Sequence, residues 1–145
     1  MSINGKRKST ALPSRPVLAL IAVLSTSALA AQSAPLPSDK ISAAGYFSQG
    51  ANGFMAHNND EQQALATLVA SADAVNTLVT VARAASTTPA GKLYAACGLR
   101  QLNYPDLIAL FSPSFDLKVS VLQGDILHEE SFETLFTRLN QDGCK

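Results

Sequence analysis

From Thr88 to Asn103 the chain has almost no polar face, and this constrains the fold more than any other stretch. Thr88 is suited to accept a hydrogen bond from a free N–H of a first helical turn, and Pro89 brings a pre-set φ with no donor to waste. The spacing predicts a helix. Tyr94, Ala95, Gly98, Leu99 and Leu102 share one broad side, and Leu93, Ala96 and Cys97 occupy much of the other. Only Lys92, Arg100 and Gln101 are clearly polar. A helix that is apolar on more than one side must be covered on more than one side, so the other elements are expected to pack around it. Tyr94 reads as a core anchor whose hydroxyl finds a partner. Gly91 and Gly98 are costly inside a helix and imply that another backbone comes close there.

The covering elements follow from the apolar spacing on either side. Asn59-Asp60-Glu61-Gln62 is a helix start, with an Asn cap, a Gln three residues later and acids suited to the positive end of the dipole. Leu65, Leu68, Val69 and Ala72 then repeat at helical spacing; Ser71 reads as the cap of a second helix carrying Val75, Leu78, Val79 and Ala82. The short Ser86-Thr87 turn favours antiparallel neighbours. Pro105 is expected at the first position of a further helix bearing Leu107, Ile108, Leu110 and Phe111, which Ser112-Pro113-Ser114 ends.

From Asp116 to Gln123 the period changes to two, predicting a strand, with Ile126 to His128 as its partner across Gln123-Gly124-Asp125. Phe132, Leu135, Phe136 and Leu139 line a last helix that Asp142-Gly143 terminates. The expected fold is therefore mainly α: a compact orthogonal or antiparallel helical domain of about five helices over residues 59–145, with a small β-ribbon near the C-terminus. No self-similarity at a fixed period supports a solenoid.

The first thirty residues read as an export signal. Lys6, Arg7, Lys8 and Arg15 form a basic leader, an apolar run follows from Val17, and Ala28-Leu29-Ala30 supplies the small-x-small cleavage pattern, placing the cut between Ala30 and Ala31. Ser25-Thr26-Ser27 interrupts the run short of the roughly 20 residues that span a bilayer, which argues against an uncleaved anchor. The cleaved chain keeps seven basic and eleven acidic residues, a net charge of −4. It has no clustered Lys and Arg for nucleic acid and no second apolar stretch for a membrane.

Residues 31–58, with Pro35 and Pro37 and then Gly45, Gly50 and Gly53, are expected to be an extended and looped lead-in with room for one helical turn between Ile41 and Phe54, although Tyr46, Phe47 and Phe54 are apolar enough to be buried. The glycine spacing lacks the preceding strand and the following Lys-Ser/Thr of a phosphate loop.

Cys97 and Cys144 would both enter an oxidising compartment. Two readings stand: a disulfide, whose loop of about 47 residues corresponds to about 4 kcal/mol of closure entropy, or a buried thiol at Cys97 beside a frayed Cys144.

The reactive side chains do not assemble into a motif. His128-Glu129-Glu130-Ser131-Phe132 begins like a zinc-protease helix but has Phe132 where the second imidazole belongs. His57 is the only other histidine, and the expectation is two surface histidines, no metal and no cofactor. Asp60 and Asp125 lie near the histidines in sequence, yet no Gly-x-Ser-x-Gly elbow accompanies them. Cys97 is flanked by Ala95, Ala96 and Leu99, which predicts burial and no nucleophilic role. Glu129, Glu130 and Glu133 read as the acidic N-terminus of the last helix, complementing its dipole.

Thr-Pro-Ala-Gly-Lys-Leu-Tyr-Ala-Ala-Cys-Gly-Leu at 88–99, with Leu65-Ala66-Thr67-Leu68 and Ala72-Asp73-Ala74 before it and the strand at 119–124 after it, resembles an uncharacterised group of small exported bacterial proteins with a Tyr-Ala-x-Cys-Gly-Leu helix. The likeness spans roughly residues 59–139. A second Cys often follows the glycine matching Gly124 in that group; here Asp125 stands in its place and Cys144 lies near the end. The resemblance implies export and a helical fold, with no activity attached. The functional expectation is an exported, periplasmic or secreted non-enzymatic module that binds another protein, with a small exported hydrolase using His57 or His128 as the alternative.

Overall fold

The computed structural model describes residues 33–48, 50 and 58–144, together with Gly5 and Ala11. His57 and the expected cleavage between Ala30 and Ala31 lie outside these residues. In the unit from Ser33 to Lys145 the order is α1 (Pro37–Ser42), β1 (Phe47–Ser48), α2 (Asp60–Val69), α3 (Ala74–Arg83), α4 (Pro89–Gln101) and α5 (Leu107–Phe111), then a 3₁₀ turn (Ser112–Ser114), β2 (Lys118–Gln123), β3 (Ile126–Ser131) and α6 (Phe132–Asp142). The architecture is mainly α with a small sheet, as the apolar spacing predicts.

The central helix is α4. Its residues Ala90, Gly91 and Leu93 to Leu99 are all buried, and every other α-helix together with β1 and β2 packs on it. Thr88 accepts from the Gly91 N–H at 3.0 Å, closing the first turn. The same hydroxyl donates to the Ala44 carbonyl at 2.7 Å, while the Thr88 N–H donates to the Ser42 carbonyl at 3.0 Å. One residue thus caps α4 and fastens the end of α1 to it.

Within the expected lead-in at 31–58, the described residues 33–48 are therefore not merely extended. α1 and β1 belong to the core, with Ile41, Ala44 and Phe47 at most 1% exposed. α1 has Pro37 in its first turn, Asp39 near its start and Lys40 near its end, but only one buried anchor, Ile41. A helix that short has no periodicity to read. β1 lies parallel to β2, pairing Phe47 with Val121 and Ser48 with Leu122, so a two-residue strand gains its partner from over seventy positions away.

β2 and β3 form the expected hairpin, antiparallel from Lys118–Ser131 to Gln123–Ile126. Gly124 takes φ +60° at the first of the two loop positions, where a tight hairpin turn favours glycine. The sheet order is β1-β2-β3, which leaves β3 at an edge. β3 runs to Ser131. Glu129 and Glu130 are consequently strand residues, and of the three glutamates read as a helix N-terminus only Glu133 is in the first turn of α6.

Two other boundaries differ from the sequence reading. Ser71 closes α2 rather than opening α3: its hydroxyl donates to the Leu68 carbonyl at 2.7 Å, and Asp73 occupies the cap position of α3. Pro105 precedes α5, which starts at Leu107. The capping box of α2 is present in full, Asn59 Oδ1 accepting from the Gln62 N–H at 2.8 Å and Gln62 Oε1 from the Asn59 N–H at 2.9 Å. A second apolar layer joins α5, the 3₁₀ turn and α6 through Phe111, Phe115, Phe132 and Phe136, with ring centroids 5.4 to 6.4 Å apart.

Candidate functional site

Tyr94 lies on the side of α4 that meets β1 and the start of α2. Its ring packs on Phe47 at 4.9 Å and the residue is 1% exposed. The hydroxyl oxygen accepts from the Ser48 N–H at 3.1 Å and from Asn59 Nδ2 at 3.0 Å. Burial pushes the phenol from 10.0 up to about 12, against the opposing pull of those two hydrogen bonds. Tyr94 is therefore a neutral donor across the physiological range. Gln62, whose Oε1 completes the capping box, uses its Nε2 to donate to the carbonyls of Ser48 and Gly50 at 3.3 and 2.8 Å. The start of α2, the β1 segment and α4 are joined by one continuous polar network in an apolar surround.

A half-open hollow of about 320 Å³ adjoins this network, lined in part by Phe47, Leu65, Ala66, Tyr94, Cys97 and Cys144. Cys97 and Cys144 form a disulfide, with Cα atoms 5.7 Å apart, which resolves the two sequence readings in favour of the bridge. Cys97 is 2% exposed. The C-terminal segment is also held by Arg100, whose Nε donates to the Asn140 carbonyl at 3.0 Å and whose Nη2 donates to that of Gln141 at 3.4 Å. These two carbonyls belong to the last turn of α6, where a guanidinium complements the negative end of the dipole.

His128 stands apart from Tyr94, on β3. Its Nε2 lies 2.8 Å from Glu130 Oε1, and Arg138 of α6 donates to Glu130 Oε2 at 3.3 Å. His128 and Glu130 share a face because residues two apart on a strand point the same way. The His128 and Arg138 contacts hold the Glu130 carboxyl below its usual range despite its partial burial. No hydroxyl or thiol hydrogen-bonds the His128 ring among the described residues. Among the same residues no group of three or more His, Cys, Asp and Glu is gathered as a metal site would need. The pattern is that of a polar chain, with the Glu130–Arg138 ion pair fastening β3 to α6.

The sequence reading missed the Tyr94–Asn59–Ser48 network because two of its members lie in separate segments and contribute backbone or cap groups. The one available signal was the Asn59-x-x-Gln62 box beside a phenol expected to need a partner. Gly91 meets its expectation, since a Cβ there would run into the Ile41 backbone carbonyl. Gly98 does not: its neighbours are the side-chain methyls of Leu78 and Leu65.

Fold and site together define a mainly α protein closed by one disulfide, with a tyrosine-centred polar network beside a small hollow. The chain matches no protein-family model, no curated protein and no solved structure. Among the described residues, no helix is long and apolar enough to cross a membrane.

Proposed function

We propose that this protein is an exported, non-enzymatic binding module of the cell envelope or the secreted milieu, acting on another exported protein. Export is supported by the leader and its small-x-small site at Ala30, by the resemblance of the Tyr-Ala-Ala-Cys-Gly-Leu helix to small exported bacterial proteins, and by the disulfide, which oxidising compartments favour.

The observation that carries the binding role is the hairpin tip. Ile126 and Leu127 follow one another on the edge strand β3, one on each face of it, and are 70% and 62% exposed, well above most large apolar side chains among the described residues. An edge strand with exposed apolar side chains is a surface that proteins otherwise blunt with charge or cover. The test is affinity capture from envelope extract with the cleaved protein and with an I126D/L127D variant. One stoichiometric partner retained by the wild type and lost by the variant is expected. A partner held equally by both, or ester or peptide turnover by the purified protein, contradicts the reading.

The hydrolase alternative has one observation in its favour, the His128–Glu130 contact at 2.8 Å. A general base needs a hydroxyl or water to deprotonate within hydrogen-bond reach, and Glu130 is instead shared with Arg138.

A further inference from the structure

We propose that the hollow between α2, α4 and β1 is a binding site for a small neutral ligand with an apolar body and a carbonyl acceptor, which receives the hydrogen bond of the Tyr94 hydroxyl. This site is separate from the hairpin tip and does not depend on the protein-binding reading.

Size comes first. About 320 Å³ is the lower end of small-molecule pockets, and corresponds to about ten waters or one substituted ring. The walls decide the character. Phe47, Leu65, Ala66 and the Cys97–Cys144 bridge give apolar surface, and no charged side chain is among the described lining residues. An ion would lose its hydration there with no counter-charge from those residues to replace it.

The polar groups decide the orientation. A phenol has one proton to donate besides its acceptor capacity. The Tyr94 oxygen already accepts from Ser48 and Asn59, and its own proton has no acceptor among the described residues. Tyr94 is among the residues that line the hollow and is 1% exposed, so an acceptor that reaches its hydroxyl gains a hydrogen bond in a desolvated setting. At the rim, the Gln101 carboxamide makes no hydrogen bond with the described residues and can serve a second polar group. The capping box and the disulfide fix the walls in advance, which lowers the ordering cost of binding.

Benzamide, toluene and benzoate, titrated into the oxidised protein while amide resonances are followed, test the site. Benzamide is expected to give saturable shifts at Gln62, Ala66, Cys97 and Gln101, with toluene and benzoate each about tenfold weaker, as the loss of one buried hydrogen bond or the burial of a charge predicts. In Y94F, benzamide should fall to the level of toluene. A66L, on an exposed helix position, fills the hollow without touching the core and should weaken both neutral probes. Absence of saturable benzamide shifts, benzoate binding as well as benzamide, or undiminished binding by A66L would each overturn the proposal. If Y94F loses its resonance dispersion, the A66L result alone decides.

Discussion

A phenol can be buried only where its oxygen is satisfied, and Tyr94 meets that condition by accepting from one backbone and one side-chain donor. Its ionisation is raised from 10.0 to about 12, so the unfolded chain releases this proton first as pH rises. The stabilisation is complete below pH 10.0 and is lost progressively as pH climbs towards about 12. Tyrosinate absorbance should therefore show one phenol titrating about two units above an ordinary tyrosine, and Y94F should flatten the alkaline decline in stability. The opposite sign holds at Glu130. Its folded pKa lies below the ordinary 4.5, so its contribution is present above pH 4.5 and is lost as pH falls through the lower folded value. E130Q should cost about 0.5–1 kcal/mol at neutral pH, a modest figure for a partly exposed pair, and almost nothing once the carboxyl is protonated. Denaturant unfolding at neutral and acid pH measures both.

At the scale of elements, the contact between α1 and α4 is the least forgiving. A Cβ on Gly91 would meet the Ile41 carbonyl, which is backbone and cannot rotate away. A Cβ on Gly98 would come within 2.7 Å of Leu78 Cδ1 and 2.9 Å of Leu65 Cδ1, methyl groups that can shift. G91A is accordingly expected to destabilise by about 2–3 kcal/mol and G98A by about 1 kcal/mol or less, the gain in helix propensity offsetting part of the crowding. Chemical denaturation of the two variants checks the order. The same contrast explains what the sequence disclosed. Long amphipathic elements were legible: α2 through its capping box, α4 through Thr88-Pro89, and α6 through Phe132, Leu135, Phe136 and Leu139, which are all buried. Elements defined by non-local pairing were not. β1 has two residues and exists because Val121 and Leu122 are beside it, and α1 has a single buried anchor. Glu129 and Glu130 look like helix-start acids by sequence, but strand pairing with Ser120 and Val119 governs them. The candidate site was half visible: Tyr94, the two cysteines and the helices that carry most of the lining stood out, whereas the side closed by Phe47, Ser48 and Gly50 comes from a segment the spacing rules treat as loop.

For the whole molecule, the governing feature is an interior helix that neighbours cover on every side and that a disulfide joins to the chain end. The bridge spans 47 residues, and its main effect is to restrict the unfolded ensemble. C97S/C144S should lose about 2–4 kcal/mol of stability, and Arg100 should still hold the end of α6 through Asn140 and Gln141. Reduction is then expected to lower the thermal midpoint while leaving far-ultraviolet dichroism of the folded protein nearly unchanged.

Residue-resolved hydrogen exchange on the oxidised protein tests the interior position of α4 most directly. The account predicts that the amides from Leu93 to Leu99 are the slowest in the chain and exchange only through global unfolding, so that their rates follow the unfolding free energy as denaturant is added. Exchange of these amides faster than those of Leu78 to Ala82 in α3, or through a local opening insensitive to denaturant, would contradict it.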